Sequence, residues 1–91
     1  MNITKHAQMR MAQRGISLDM VKIIEGYGRT RCANGAEITD MDERSVRCYL
    51  REDPAPKRQA IERVKNVYYV TIDGWILTAA RKNTNYKKKF N

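Results

Sequence analysis

Asp73-Gly74 constrains this chain more than any other pair of residues. Asp-Gly readily supplies the two successive positive φ angles of a type I′ turn. Here it joins two runs rich in β-branched and aromatic residues, Val67 to Ile72 and Trp75 to Arg81. The spacing predicts a two-residue β-hairpin in which Ile72 faces Trp75, Val70 faces Leu77 and Tyr68 faces Ala79. That apolar face is expected to cover helices. The other face, with Val67, Tyr69, Thr71, Ile76, Thr78 and Ala80, carries three hydroxyls and is expected to be half wet.

Upstream, Thr4 suits the N-cap of a helix over about Lys5 to Arg14 with Ala7 and Met11 inward and Met9 and Ala12 as further candidates for the core face, and Gly15 suits the left-handed position that closes it. Ser17 caps a second helix, roughly Leu18 to Glu25, stopped by Gly26 and Gly28. Asn34-Gly35 marks a turn between short extended runs within Arg29 to Thr39. Asp40 followed by Glu43 resembles a capping box, and Val46, Tyr49 and Leu50 continue at helical spacing, so a helix is expected from about Met41 to Arg51. Asp53-Pro54-Ala55-Pro56 breaks it, and a short helix around Lys57 to Val64 follows, with Ile61 and Val64 inward. The expected order is α-α-β-β-α-β-β: a helical hairpin packed on a small antiparallel sheet, in the α+β class.

Ninety-one residues suit one small domain, spanning 1–91. The formal net charge of +8 favours an anionic partner, with nucleic acid or an acidic protein both open. Residues 82–91 read as a mobile basic tail in which Lys82, Lys87, Lys88 and Lys89, with the preceding Arg81, form an electrostatic arm around Tyr86 and Phe90. Cys32 and Cys48 lack the spacing and companions of a zinc site; they read as reduced thiols, with a disulfide left open. The acidic segment Glu37, Asp40, Asp42 and Glu43 has no clean metal-ligand spacing, and neither a metal nor a cofactor is expected. No apolar run approaches a membrane span and the first residues lack a secretory h-region, so no membrane partner and a cytoplasmic location are the default expectations.

The main chemical signal is His6-Ala7-x-x-Arg10-Met11-x-x-Arg14-Gly15-Ile16. At helical spacing His6, Arg10 and Arg14 project from one side, where an imidazole and two guanidiniums can bind phosphate and move a proton. His6 is the chain's one histidine. The structural alternatives are equally concrete: His6 as a hydrogen-bonded surface group, and Arg14 as a partner of helix C-terminal carbonyls. Tyr68, Tyr69 and Trp75 read first as packing residues and only second as base-stacking platforms.

The His6 to Ile16 motif, the Ser-led helix ending at Tyr27-Gly28, the Val67-Tyr68-Tyr69-Val70 strand and the Ile76-Leu77-Thr78 strand with its basic tail resemble a widespread small bacterial domain of unknown function. That domain is similar to BrnT and, more distantly, to RelE-type toxins of toxin–antitoxin pairs. The resemblance implies a sheet packed against helices, metal-independent RNA cleavage, and an antitoxin partner with an acidic surface. It also implies catalysis by basic residues of the sheet and a tyrosine beyond it, for which Arg81, Lys82 and Tyr86 are candidates by location. Asn83-Thr84-Asn85 interrupts the basic run usual after the last strand of such domains.

Metal-independent cleavage needs a base for the 2′-hydroxyl, an acid for the leaving oxygen, and cations for the charged phosphorane. His6 is the candidate base or acid, Arg10 and Arg14 the phosphate ligands, and Tyr86 or Lys82 the second proton carrier. Three readings follow: a ribonuclease toxin, a non-catalytic nucleic-acid-binding module, and an adaptor whose basic groove binds an acidic protein segment.

Overall fold

The computed structural model describes residues 2–52 and 58–82. Along the chain these form β1 (Asn2–Ile3), α1 (Lys5–Arg14), α2 (Leu18–Tyr27), β2 (Arg29–Ala33), β3 (Ala36–Asp40), α3 (Glu43–Glu52), α4 (Arg58–Val64), β4 (Val67–Ile72) and β5 (Trp75–Arg81). The α+β class and the order of the larger elements follow the sequence, but the sheet is mixed rather than purely antiparallel. Its five strands run β1-β5-β4-β3-β2, and β1 pairs parallel to β5 through Asn2 with Trp75 and Ile3 with Ile76. A two-residue strand leaves no periodicity to read, so β1 was invisible before the tertiary structure placed it.

Local chemistry accounts for the helical hairpin. The Thr4 hydroxyl accepts from the Ala7 amide at 3.1 Å, starting α1. Gly15 ends it at φ +66°, and the Ile16 amide donates back to the Met11 carbonyl at 2.9 Å. Ser17 caps α2 by accepting from the Met20 amide at 3.3 Å. The second helix runs through Gly26 to Tyr27, two residues past the expected stop. Gly28 is then required for close approach, because a Cβ there would lie 2.5 Å from the Ile24 carbonyl oxygen and 2.6 Å from that of Asp40.

Both predicted hairpins form. Asn34 and Gly35 have φ of 51° and 80°, and Asp73 and Gly74 have 51° and 81°, as type I′ turns need. The cap of α3 differs from expectation: Asp42, not Asp40, accepts from the Ser45 amide at 2.8 Å and from its hydroxyl at 2.6 Å. These hydrogen bonds from Ser45 hold the Asp42 carboxyl below the usual carboxylate range. Asp40 instead ends β3 and is buried. Cys32 and Cys48 are both free thiols.

The expected sheet faces are reversed on β4 and on β5 as far as the bulge, while beyond it Thr78, Ala79 and Ala80 take the faces expected of them. Val67, Tyr69, Ile76 and Ala79 point into the one core, where they join Ala7, Met11, Val21, Ile24, Tyr49 and Val64 from the helices. The residues expected to cover the helices (Tyr68, Val70, Ile72, Trp75 and Leu77) lie on the opposite side. Beyond the turn the ladder also slips: Ile76 pairs with Thr71, but Thr78 pairs with Val70, leaving Leu77 as an extra residue. This bulge pairs Tyr68 with Ala80 rather than with Ala79. Both faces are apolar enough to be buried, so alternation alone does not choose between them.

Candidate functional site

Helix α1 packs along β5, with the Thr4 amide donating to the Ile76 carbonyl at 3.1 Å at one end. At the other end, Arg14 Nη1 donates to the Ala79 carbonyl at 2.8 Å. That carbonyl belongs to the part of β5 beyond its short pairing with β1, so Arg14 satisfies an otherwise open strand edge. In return Arg81 donates to the carbonyls of Arg14 and Gly15, which are orphaned by the end of α1. The two arginines interlock helix and strand. The role foreseen for Arg14, meeting helix C-terminal carbonyls, is thus performed by Arg81.

His6 and Arg10 occupy the same side of α1 as Arg14 and are both exposed. Among the described residues neither makes a hydrogen bond or an ion pair. The i, i+4 spacing leaves an imidazole and a guanidinium one helical turn apart in solvent, on a helix held at both ends. This pair can receive a phosphate, and the imidazole can exchange a proton with a bound ligand.

Lys82 goes elsewhere. The bulge turns Arg81 toward the helices and Lys82 toward the opposite face, where its Nζ lies 2.7 Å from Asp40 Oδ2. Arg29 Nε donates to Asp40 Oδ1 at 3.3 Å, and Arg31 Nη2 stands 3.9 Å from Oδ2. Arg29 also reaches Asp42 at 3.7 Å. The Asp40 side chain is only 1 % exposed, whereas the three cations are about half in water. Burial pushes the Asp40 carboxyl toward protonation, but Lys82 and Arg29 outweigh it and hold the group below its usual range. The candidate site residues are therefore split: His6, Arg10, Arg14 and Arg81 on the helix side, Lys82 on the far side of the sheet. Tyr86, Lys87, Lys88 and Lys89 lie outside the described residues.

Two features were missed from sequence. Arg44, Arg47 and Arg51 form an exposed stripe along α3 without an ion pair to any described residue. Their i, i+3, i+7 spacing is legible in the sequence, on a helix whose apolar positions Val46, Tyr49 and Leu50 give the stronger signal. The gathering of Arg29, Arg31 and Lys82 on Asp40 carries no sequence signal, since it needs three strands in register.

A cavity of about 470 Å3 opens on the helix side between α2 and the two hairpin turns. Thr30, Thr39, Tyr69 and Thr71 line it with hydroxyls, and Glu25 and Glu37 with carboxylates. The Thr30 and Thr39 hydroxyls are 2.8 Å apart. Burial pushes the Tyr69 phenol up; its hydrogen bond with Thr39 opposes this, and the carboxylates of Glu25 and Glu37 add to it. Among the described residues no cation lines this cavity, so they offer a phosphate no partner there. No helix of the described residues is long and apolar enough to cross a membrane. Comparison with protein-family models, curated proteins and solved structures finds no match to this chain.

Proposed function

We propose that this protein binds RNA through the exposed side of α1, with Arg10 as a phosphate ligand and His6 beside it. The observation that carries this reading is the His6–Arg10 pair, unengaged among the described residues, on a helix anchored to β5 by Thr4, Arg14 and Arg81. A guanidinium with its donors free can bind a phosphate in bidentate geometry, and the net charge of +8 supplies the long-range attraction. Arg14 serves as a scaffold in this account, and the Arg44, Arg47 and Arg51 stripe is a second cationic surface.

Cleavage is the second reading, favoured by the accessible imidazole of His6 and by the resemblance to ribonuclease toxins. In that reading His6 takes or gives the proton and an antitoxin masks the protein. Lys82 is committed to Asp40 on the other side of the sheet, which leaves Tyr86 as the remaining candidate for the second proton carrier.

Fluorescence anisotropy with a labelled single-stranded RNA, in EDTA and across a salt series, tests both readings. Binding should weaken with salt, and Arg10→Ala should reduce the log–log salt slope by about 0.7, the share of one phosphate contact. RNA bound equally by wild type and Arg10→Ala, or not bound at low salt, would overturn the assignment to α1. Cleavage products from wild type that vanish with His6→Ala would establish the second reading.

A further inference from the structure

We infer that the helix-free face of the sheet is a docking surface for a protein segment that presents apolar side chains next to carboxylates. The starting point is an imbalance in the sheet. An antiparallel sheet with one face on the core ordinarily turns polar residues outward on the other. Here the outward positions of the three central strands carry Thr78, Ala80 and Asp40 but also Ile38, Tyr68, Val70, Ile72, Trp75 and Leu77, and none of these six belongs to the core or packs against it. All four helices contribute to the opposite face or pack on α2, so no described element covers these residues. Ile72 and Trp75 are direct cross-strand partners and are 40 % and 46 % exposed. Ile38, Tyr68, Val70 and Leu77 continue the patch half-buried, and an apolar surface open in this way has the character of an interaction site.

Charge selects the occupant. At the end of the same face opposite Trp75, Asp40 gathers Arg29, Arg31 and Lys82, whose outer donors remain in water. Three cations against the Asp40 and Asp42 carboxylates leave a positive rim beside an apolar floor. A second copy of this chain would bring its own positive rim and its own +8 to the contact. RNA would find Trp75 as the well-exposed ring, at the end of the face away from the cations, with Tyr68 beside them half-buried and the other four side chains aliphatic, so stacking and phosphate contacts do not fall together. A protein segment with two or three apolar anchors and a cluster of Asp or Glu beyond them satisfies both floor and rim.

The test uses the full chain and a defined probe. Random 16-residue peptides displayed on phage are selected on wild-type protein, with Ile72→Glu/Trp75→Glu protein as the counter-target. Enriched peptides are expected to pair apolar residues with adjacent Asp or Glu and to bind wild type at least 10-fold more tightly than the double variant. An enriched peptide should shift backbone amide resonances of wild-type Ile38, Val70 and Leu77 while leaving α1 unmoved, a readout that stands even if the double variant fails to fold. Peptides without acidic residues, peptides indifferent to the two substitutions, or shifts on α1 would overturn the proposal. So would a wild-type dimer by sedimentation that the double variant abolishes, which assigns the face to a second copy. RNA-induced shifts confined to the same amides would overturn it in favour of nucleic acid.

Discussion

The two faces of the sheet have nearly the same apolar content and opposite fates. On one, Val67, Tyr69, Ile76 and Ala79 are sealed beneath α1 and α2; on the other, Tyr68, Val70, Ile72, Trp75 and Leu77 face outward around the ion cluster of Asp40. The difference shows that hydrophobicity along a strand states only that a side chain can be buried. Which side is buried depends on where the helices land. A face that is apolar without being covered retains its capacity to bury surface against something else.

The largest effect that would break this comparison is in the closed face. Ile24→Ala, at a fully buried position, should cost about 3 kcal/mol in urea unfolding, combining lost transfer energy with the cavity left behind. A cost below about 1 kcal/mol would mean that the helices are not packed as described.

Asp40→Ala comes next, at about 2 kcal/mol: less than for a wholly enclosed ion pair, because the three cations stay hydrated once released. The pH dependence sharpens the point. The folded carboxyl titrates below the unfolded value of about 3.9, so its stabilisation is present above that pH and is lost as pH falls through the lower folded value. Asp40→Asn should therefore be less stable than wild type at pH 7 and lose less stability between about pH 4 and pH 2. Identical acid limbs in the two proteins would show that the ion cluster contributes nothing to folding.

Arg14→Ala removes one half of the interlock between α1 and β5 and should cost about 1 kcal/mol, read as a drop in the unfolding midpoint at unchanged m-value. Its effect on RNA affinity should be smaller than that of Arg10→Ala, since the Arg14 guanidinium is already engaged. The reverse ranking would move the phosphate site to the end of the helix. Smallest of all, Ile72→Ala on the open face should change stability by less than about 0.5 kcal/mol, in contrast to Ile24→Ala. A cost approaching that of the core substitution would show Ile72 to be buried in solution.

Much of the fold was legible because it is local. Thr4, Gly15 and Ser17 announced the helical hairpin through hydrogen bonds closed within a few residues, and Asn34-Gly35 and Asp73-Gly74 announced both turns through their tolerance of positive φ. The cap of α3 was misread by two residues, because Asp40 and Asp42 have the same chemistry and only burial separates them. Of the candidate site, the shared helical side of His6, Arg10 and Arg14 followed from spacing alone. The engagement of Arg14 and the separation of Lys82 from that group did not.

The sequence by itself therefore determined the turns, the caps of α1 and α2, the class and the order of the main elements, all set by interactions spanning at most about a helical turn or a two-residue loop. Tertiary structure decided the parallel pairing of β1 with β5, the buried face of the sheet and the bulge at Leu77. The bulge shows the physical reason most plainly. One extra residue between Ile76 and Thr78 flips every side chain after it, sending Arg81 to the end of α1 and Lys82 to Asp40. Adjacent basic residues thus acquire different roles, fixed by contacts more than 40 residues away along the chain.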